Sequence, residues 1–154
     1  MRRFIYVLMA VIIFGIASCS KSMTQYDNEI SLAEMIMRNN TDSALSLLDE
    51  IDPSELEIDS LRAKYHYLKG WGHLSGNRSM VGDSLIGYAH NFYRGKDIVR
   101  NIRSGIVFAW YKFWVGDTPG ALTMLDSLAE LPDIPDSIMV QTVRVRVLLG
   151  ASEY

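Results

Sequence analysis

Four groups of residues in this chain carry side chains able to do chemistry. The first is Ser84, behind Asp83 in the stretch VGDSLIGY (Val81–Tyr88). A serine becomes a nucleophile only with a base in hydrogen-bond reach and a third group that orients the base. His66, His73 and His90 are the chain's three histidines. The second group is His66 and His73, seven residues apart and able to share a helical face. With no carboxylate at ligand spacing they make a poor metal site. The third is Trp110 and Trp114, four apart, with Arg103 and Val107 on the same helical face. Aromatic residues and arginine are the usual anchors of binding surfaces. The fourth is Cys19. As the only cysteine, it excludes an internal disulfide framework and a cysteine-rich zinc site. No glycine loop is built to cradle phosphates.

The first and third groups also have plainer readings. Asp83 or Ser84 is a good cap for a following helix. Asp-Ser before an apolar residue recurs at 42–44, 59–61, 126–128 and 136–138, mostly where helices are expected to start. Trp110 and Trp114 can simply pack against a neighbouring helix. The tetrapeptide Gly82-Asp83-Ser84-Leu85 resembles the signature of the GDSL esterases and lipases, whose serine is the nucleophile. The partner base of that family lies in a later Asp-x-x-His. Here Ala63, Gly70 and Gly87 stand three residues before the histidines, and the preceding stretch SGNRSM is polar rather than a strand. The expectation is therefore a helix cap, and a protein that is not an enzyme and uses no cofactor or metal.

Cys19 ends an apolar run. Arg2 and Arg3 form a basic start, and residues 4–18 are almost wholly apolar. Fifteen helical residues span roughly 22 Å, short of the roughly 30 Å hydrocarbon core. A short apolar stretch with a basic start and small residues at its end reads as a secretory signal, the alternative being a short uncut membrane anchor. Ile16-Ala17-Ser18-Cys19 resembles the bacterial lipobox. The resemblance implies cleavage before Cys19 and covalent lipid on its sulfur and new amino terminus. Several acyl chains give lasting attachment where one is marginal. Residues 1–18 are then signal peptide and residues 19–27 a lipidated cysteine with a flexible tether. The formal charge falls from −3 to −5 as Arg2 and Arg3 are lost. No basic block supports nucleic-acid binding.

From residue 28 to 154 the pattern is helix after helix. TDSALSLLDEI (Thr41–Ile51) recurs as TPGALTMLDSL (Thr118–Leu128), 77 residues later. The register runs on: Asp59-Ser60-Leu61 precedes Asp136-Ser137-Ile138 by the same offset. Ala44, Leu45, Leu48 and Ile51 form one helical stripe, and Ala121, Leu122, Leu125 and Leu128 form its copy. Thr41 and Thr118 are the expected caps, with Pro119 at the first helical position. Proline-bearing breaks follow, at Pro53 and at Pro132 and Pro135.

Further helices are expected over 28–39 (Ser31 and Glu34 as a capping box), 58–70, 84–94 and 97–115. Gly70-Trp71-Gly72 reads as close helix contact or a frayed end. In the last stretch, IMVQTVRVRVLLG, Val143, Val145 and Val147 alternate with arginines as in a strand. The 77-residue register sets this stretch opposite 58–70 and so predicts helix.

Residues 106–132 resemble a tetratricopeptide repeat, through Ala109, the turn at Gly116-Asp117, Ala121, Leu125 and Pro132. Residues 32–53 match more weakly through Leu32, Ala44, Leu48 and Pro53. The stretch 28–154 looks like the tetratricopeptide-repeat lipoproteins of Bacteroidetes. That resemblance implies an all-α, right-handed stack of antiparallel helix pairs, an α-solenoid of about seven helices. It implies a membrane-anchored scaffold that binds a protein or peptide, with the first helix of each pair lining a concave groove. Arg103, Trp110 and Trp114 would face that groove. A sensory or regulatory repeat module is the alternative. The expected place is a Gram-negative cell envelope, on an outer membrane and facing the periplasm, since Ser20-Lys21-Ser22 carry no acidic export signal. Ser43, Ser60, Ser84, Ser127 and Ser137 resemble O-glycosylation acceptors of this group, with several expected to be masked by burial. The sequence stops at Tyr154, inside or just past an expected first helix that lacks its second. It reads as a short member, a truncated array or a subunit that docks onto another.

Overall fold

The computed structural model describes residues 21–131 and 137–151. The apolar leader, Cys19, Pro132 and Pro135 lie outside the described residues. Seven α-helices and one 3₁₀ turn make up the described chain, and no strand occurs among these residues. They are α1 (Met23–Ile36), α2 (Thr41–Asp49), α3 (Asp59–Ser75), α4 (Ile86–Tyr93), α5 (Ile98–Trp114), α6 (Thr118–Ala129) and α7 (Ser137–Ala151), with the 3₁₀ turn at Pro53–Glu55. None of these helices is long and apolar enough to cross a membrane.

Each helix packs against the next in the chain. In addition, α1, α3, α5 and α7 touch one another in a row. The 77-residue register is physical. The helix starts Thr41 and Thr118 coincide under it, and so do α1 with the body of α5 and α3 with α7. Ala44, Leu48 and Ile51 are buried, and so are Ala121, Leu125 and Leu128. Burying one leucine side chain contributes roughly 1.5–3 kcal/mol, so each copied stripe is a main support of its helix pair. Helix α4 is the element that separates the two copies.

Close approach explains Gly70 and Gly72. A Cβ on Gly70 would lie 2.6 Å from Val107 of α5, and one on Gly72 would lie 2.6 Å from Leu45 of α2. The two glycines thus let α3 sit against helices on both sides. Gly116, at φ +86°, ends α5 in the left-handed conformation that glycine alone adopts without cost.

Several expected boundaries move. Helix α1 starts five residues early: Ser22 caps it by accepting from the Gln25 N–H at 3.3 Å, and Tyr26 is buried. The tether therefore does not extend to residue 27. Ser31 and Glu34 sit inside α1 and form no capping box; Glu34 binds Lys64 and Arg100 instead. The caps of α2 and α6 are Asn40 and Asp117, not the threonines. Asn40 accepts from the Ser43 N–H at 3.0 Å and Asp117 from the Gly120 N–H at 2.9 Å. This puts Pro119 at the second helical position. Helix α4 starts at Ile86 without a side-chain cap, so neither Asp83 nor Ser84 caps it. The valine-arginine stretch is helix α7, with Val140, Val143 and Val147 inside and Val145 outside. The five acceptor-like serines are all exposed, so burial masks none of them.

Candidate functional site

The row α1–α3–α5–α7 carries two clefts, and α5 contributes to both. Arg103, Trp110 and Trp114 stand on one stripe of α5, at spacings of seven and four. The structure divides them. Arg103 enters a cleft of about 360 Å³ lined with Glu34 and Met37 of the first helix region and Tyr67 and Trp71 of α3. Trp110 and Trp114 enter a second, of about 450 Å³, with Asn77, Phe113, Arg146 and Leu149.

In the first cleft the Arg103 guanidinium lies over the Trp71 ring, 5.9 Å from its centroid. Cation–π contacts of this kind contribute about 0.5–1 kcal/mol at exposed sites. Glu34 ties three helices together: it takes Lys64 of α3 at 2.8 Å and Arg100 of α5 at 3.3 Å. Burial pushes the Tyr67 phenol up to about 12, so it stays neutral and can only donate or accept a hydrogen bond. The cleft thus joins flat aromatic surface to fixed cations and one carboxylate.

In the second cleft Trp110 stacks on Phe113, with centroids 5.2 Å apart, and meets Trp114 edge-on at 6.4 Å. Trp110 is 4% exposed and belongs to the core; Trp114, at 36%, is the ring that reaches the surface. The indole N–H of Trp110 is buried without a hydrogen-bond partner. Of the two tryptophans, one is therefore part of the core and the other reaches the surface.

Sequence reasoning missed Trp71 and Arg146. Trp71 follows Tyr67 by four on α3, a signal of the same kind as Trp110 and Trp114. It was hidden by its glycine neighbours, which drew the reading to close helix contact or a frayed end. Arg146 sat in an alternation that looked like a strand and only acquires a cleft once α7 is a helix against α5.

The other reactive groups are placed apart from these clefts. Asp83 spends its carboxylate on His73 Nδ1. Ser84 is exposed, and among the described residues none of the three histidines is hydrogen-bonded to its hydroxyl. His90 is buried beside Ser104, whose hydroxyl lies 3.4 Å from Nδ1. Burial pushes both His66 and His90 below the usual histidine range, which keeps them neutral near pH 7. Among the described residues no group of three His, Cys, Asp or Glu side chains is placed to hold a metal ion.

Compared with protein-family models, with curated proteins and with solved structures, the chain matches none. The functional reading therefore rests on the chain's own residues.

Proposed function

We propose that this protein is a membrane-anchored, non-enzymatic scaffold that holds a protein or peptide partner in the cell envelope. The helix pairs are read as a right-handed, tetratricopeptide-like stack with α1, α3, α5 and α7 along its inner face. Repeat stacks of this kind present extended surfaces suited to a bound segment. One observation carries the reading: a single stripe of α5 supplies Arg103 to one cleft and Trp114 to the next. Each cleft joins aromatic surface to a guanidinium, the side chains that anchor protein interfaces. The anchor reading rests on Ile16-Ala17-Ser18-Cys19 behind the basic, apolar leader.

Two experiments test this. Partners cross-linked to the processed protein in its own envelope are identified, and recovery is compared with that of a Trp71→Ala/Trp114→Ala double variant. Recovery falls severalfold if the clefts bind; full recovery by a folded double variant overturns the reading. Cys19→Ala should leave the precursor uncut and unlipidated. Normal processing of that variant would remove the anchor.

A further inference from the structure

The two clefts are rich in donors and poor in acceptors. Arg38, just past α1, and Arg103 line the first, and Arg146 lines the second. A guanidinium has five N–H donors and no acceptor. Glu34 is the one carboxylate among the lining residues, and both its oxygens are committed. Oε2 takes Lys64 at 2.8 Å and Oε1 takes Arg100 at 3.3 Å. Arg62, Arg78 and Arg144 each hold a carboxylate outside the clefts. Arg38 and Arg146 are exposed, and among the described residues no carboxylate is paired with either. One more donor stands at the second cleft: the Trp110 indole N–H is buried without an acceptor. An unpaired buried donor costs folding free energy that an acceptor on a bound molecule would return. The formal charge of the whole chain is −3, so these arginines run against its overall sign.

We propose that the clefts take an acidic peptide segment, laid in extended conformation along α5, with one side-chain carboxylate at Arg38 and Arg103 and a second at Arg146. The inference rests on the scaffold reading above and adds to it the charge of the bound segment and the spacing of its acidic residues. Arginine suits this task because its planar fork offers a carboxylate two parallel N–H donors. The spacing follows from α5. Arg103 precedes Trp110 by seven residues and Trp114 by eleven, about 10 Å and about 16 Å along the helix axis. Four residues of extended chain cover about 13 Å, between those two values. An even spacing also keeps both acidic side chains on the same face of the segment, with the residue midway between them. An aromatic or apolar side chain at that middle place lies toward Trp71 and Trp114, the rings that are not buried. A nucleic-acid strand fits less well. It carries a charge on every nucleotide and needs a cationic groove that tracks it, whereas the unpaired arginines stand at two separate points.

Anisotropy titrations test this on the processed protein, purified in detergent from its own envelope. The probes are three short glycine peptides with a rhodamine at one end and an amide at the other. One carries two aspartates four apart with a phenylalanine midway. The second has asparagine in place of both aspartates, and the third sets the two aspartates side by side. The first should bind about tenfold more tightly than the second and severalfold more tightly than the third. Raising NaCl from about 50 to about 500 mM should weaken the first severalfold and leave the second unchanged. Arg38→Gln/Arg146→Gln, at exposed positions, should keep the parent's thermal unfolding and lose the preference for aspartate over asparagine. Equal binding of the three peptides, binding of none, or tighter binding of a short oligothymidylate would each overturn the proposal. Capture from the envelope separates it from the scaffold reading. Partners lost from Trp71→Ala/Trp114→Ala but kept in full by Arg38→Gln/Arg146→Gln would leave the scaffold standing and remove the acidic segment.

Discussion

Helices α3 and α7 occupy equivalent places 77 residues apart, yet they differ in how many sides they bury. Leu61 and Leu68 of α3 are 5% and 2% exposed. Their counterparts Ile138 and Val145 in α7 are 82% and 53% exposed. The sides the helices share are alike: Ala63 and Val140 are both buried. The difference lies in the neighbours. Helix α3 packs against α1, α2, α4 and α5, whereas the packing of α7 among the described residues is against α5 and α6. Residue choice follows. Helix α3 uses glycine at 70 and 72, where neighbours press close; α7 has Val147 and Leu149 at those places. The same helical register can therefore serve a two-sided core or a one-sided one, and Gly70 marks where the second side, against α5, is tight.

The comparison is broken most severely at Gly70. Gly70→Val should cost about 3 kcal/mol or more, since its Cβ alone falls within 2.6 Å of Val107. At the equivalent place in α7, Val147→Ala should cost only about 2 kcal/mol, through the cavity it leaves. Urea denaturation of both variants measures the gap; equal losses would mean α3 is no tighter than α7. Leu68→Ala should cost about 3 kcal/mol and Val145→Ala no more than about 0.5 kcal/mol, because only the first removes buried surface. A large loss for Val145→Ala in dilute, monomeric protein would show that the outer side of α7 is covered within the chain.

The capping residues sharpen the same symmetry. Asn40→Ala should cost about 1 kcal/mol. Asp117→Ala should cost more, because Asp117 also binds Lys112 at 2.7 Å. The Lys112 ammonium, with the Gly120 N–H, holds the Asp117 carboxyl below the usual range. A group with a depressed folded-state pKa stabilises above its unfolded value, so this contribution is present near pH 7 and is lost as pH falls below about 4. Equilibrium unfolding at pH 7 and pH 3.5 should show the gap between Asp117→Ala and the parent narrowing in acid.

The smallest effect is at His90, in α4, the helix between the two copies. Its folded-state pKa is lowered by burial. The unfolded chain therefore binds the extra proton first, and stability falls as pH drops below about 6.5. His90→Gln should flatten the unfolding midpoint between pH 7.5 and pH 5.5 relative to the parent. An unchanged slope would assign the dependence to His66.

Much of the fold was legible because helices announce themselves locally. The Ala44–Leu48 and Ala121–Leu125 stripes and the break at Gly116 each lie within a few turns of chain, and the 77-residue register shows when one such stretch is laid on the other. Errors came where two readings were locally equal. Asn40 and Thr41 are both good caps, as are Asp117 and Thr118, and short-range pattern does not choose between them. Asp83 looked like a cap and is not one, because His73, ten residues earlier on α3, takes its carboxylate. The candidate site was half legible. The stripe Arg103–Trp110–Trp114 was visible, but its division into two clefts was not, since Trp71 and Arg146 come from other helices.

By itself the sequence determined roughly where helices form, that they are amphipathic, that one stretch repeats once at an offset of 77 residues and that Cys19 stands at the end of a basic, apolar leader. Helix periodicity is written every three to four residues, so a short window carries it. Tertiary structure alone decided which sides are covered: that Leu68 is buried while Val145 is not, that Trp110 is core while Trp114 is surface, and that Arg103 meets Trp71. Burial is a property of a pair of surfaces, and the second surface comes from a helix tens of residues away.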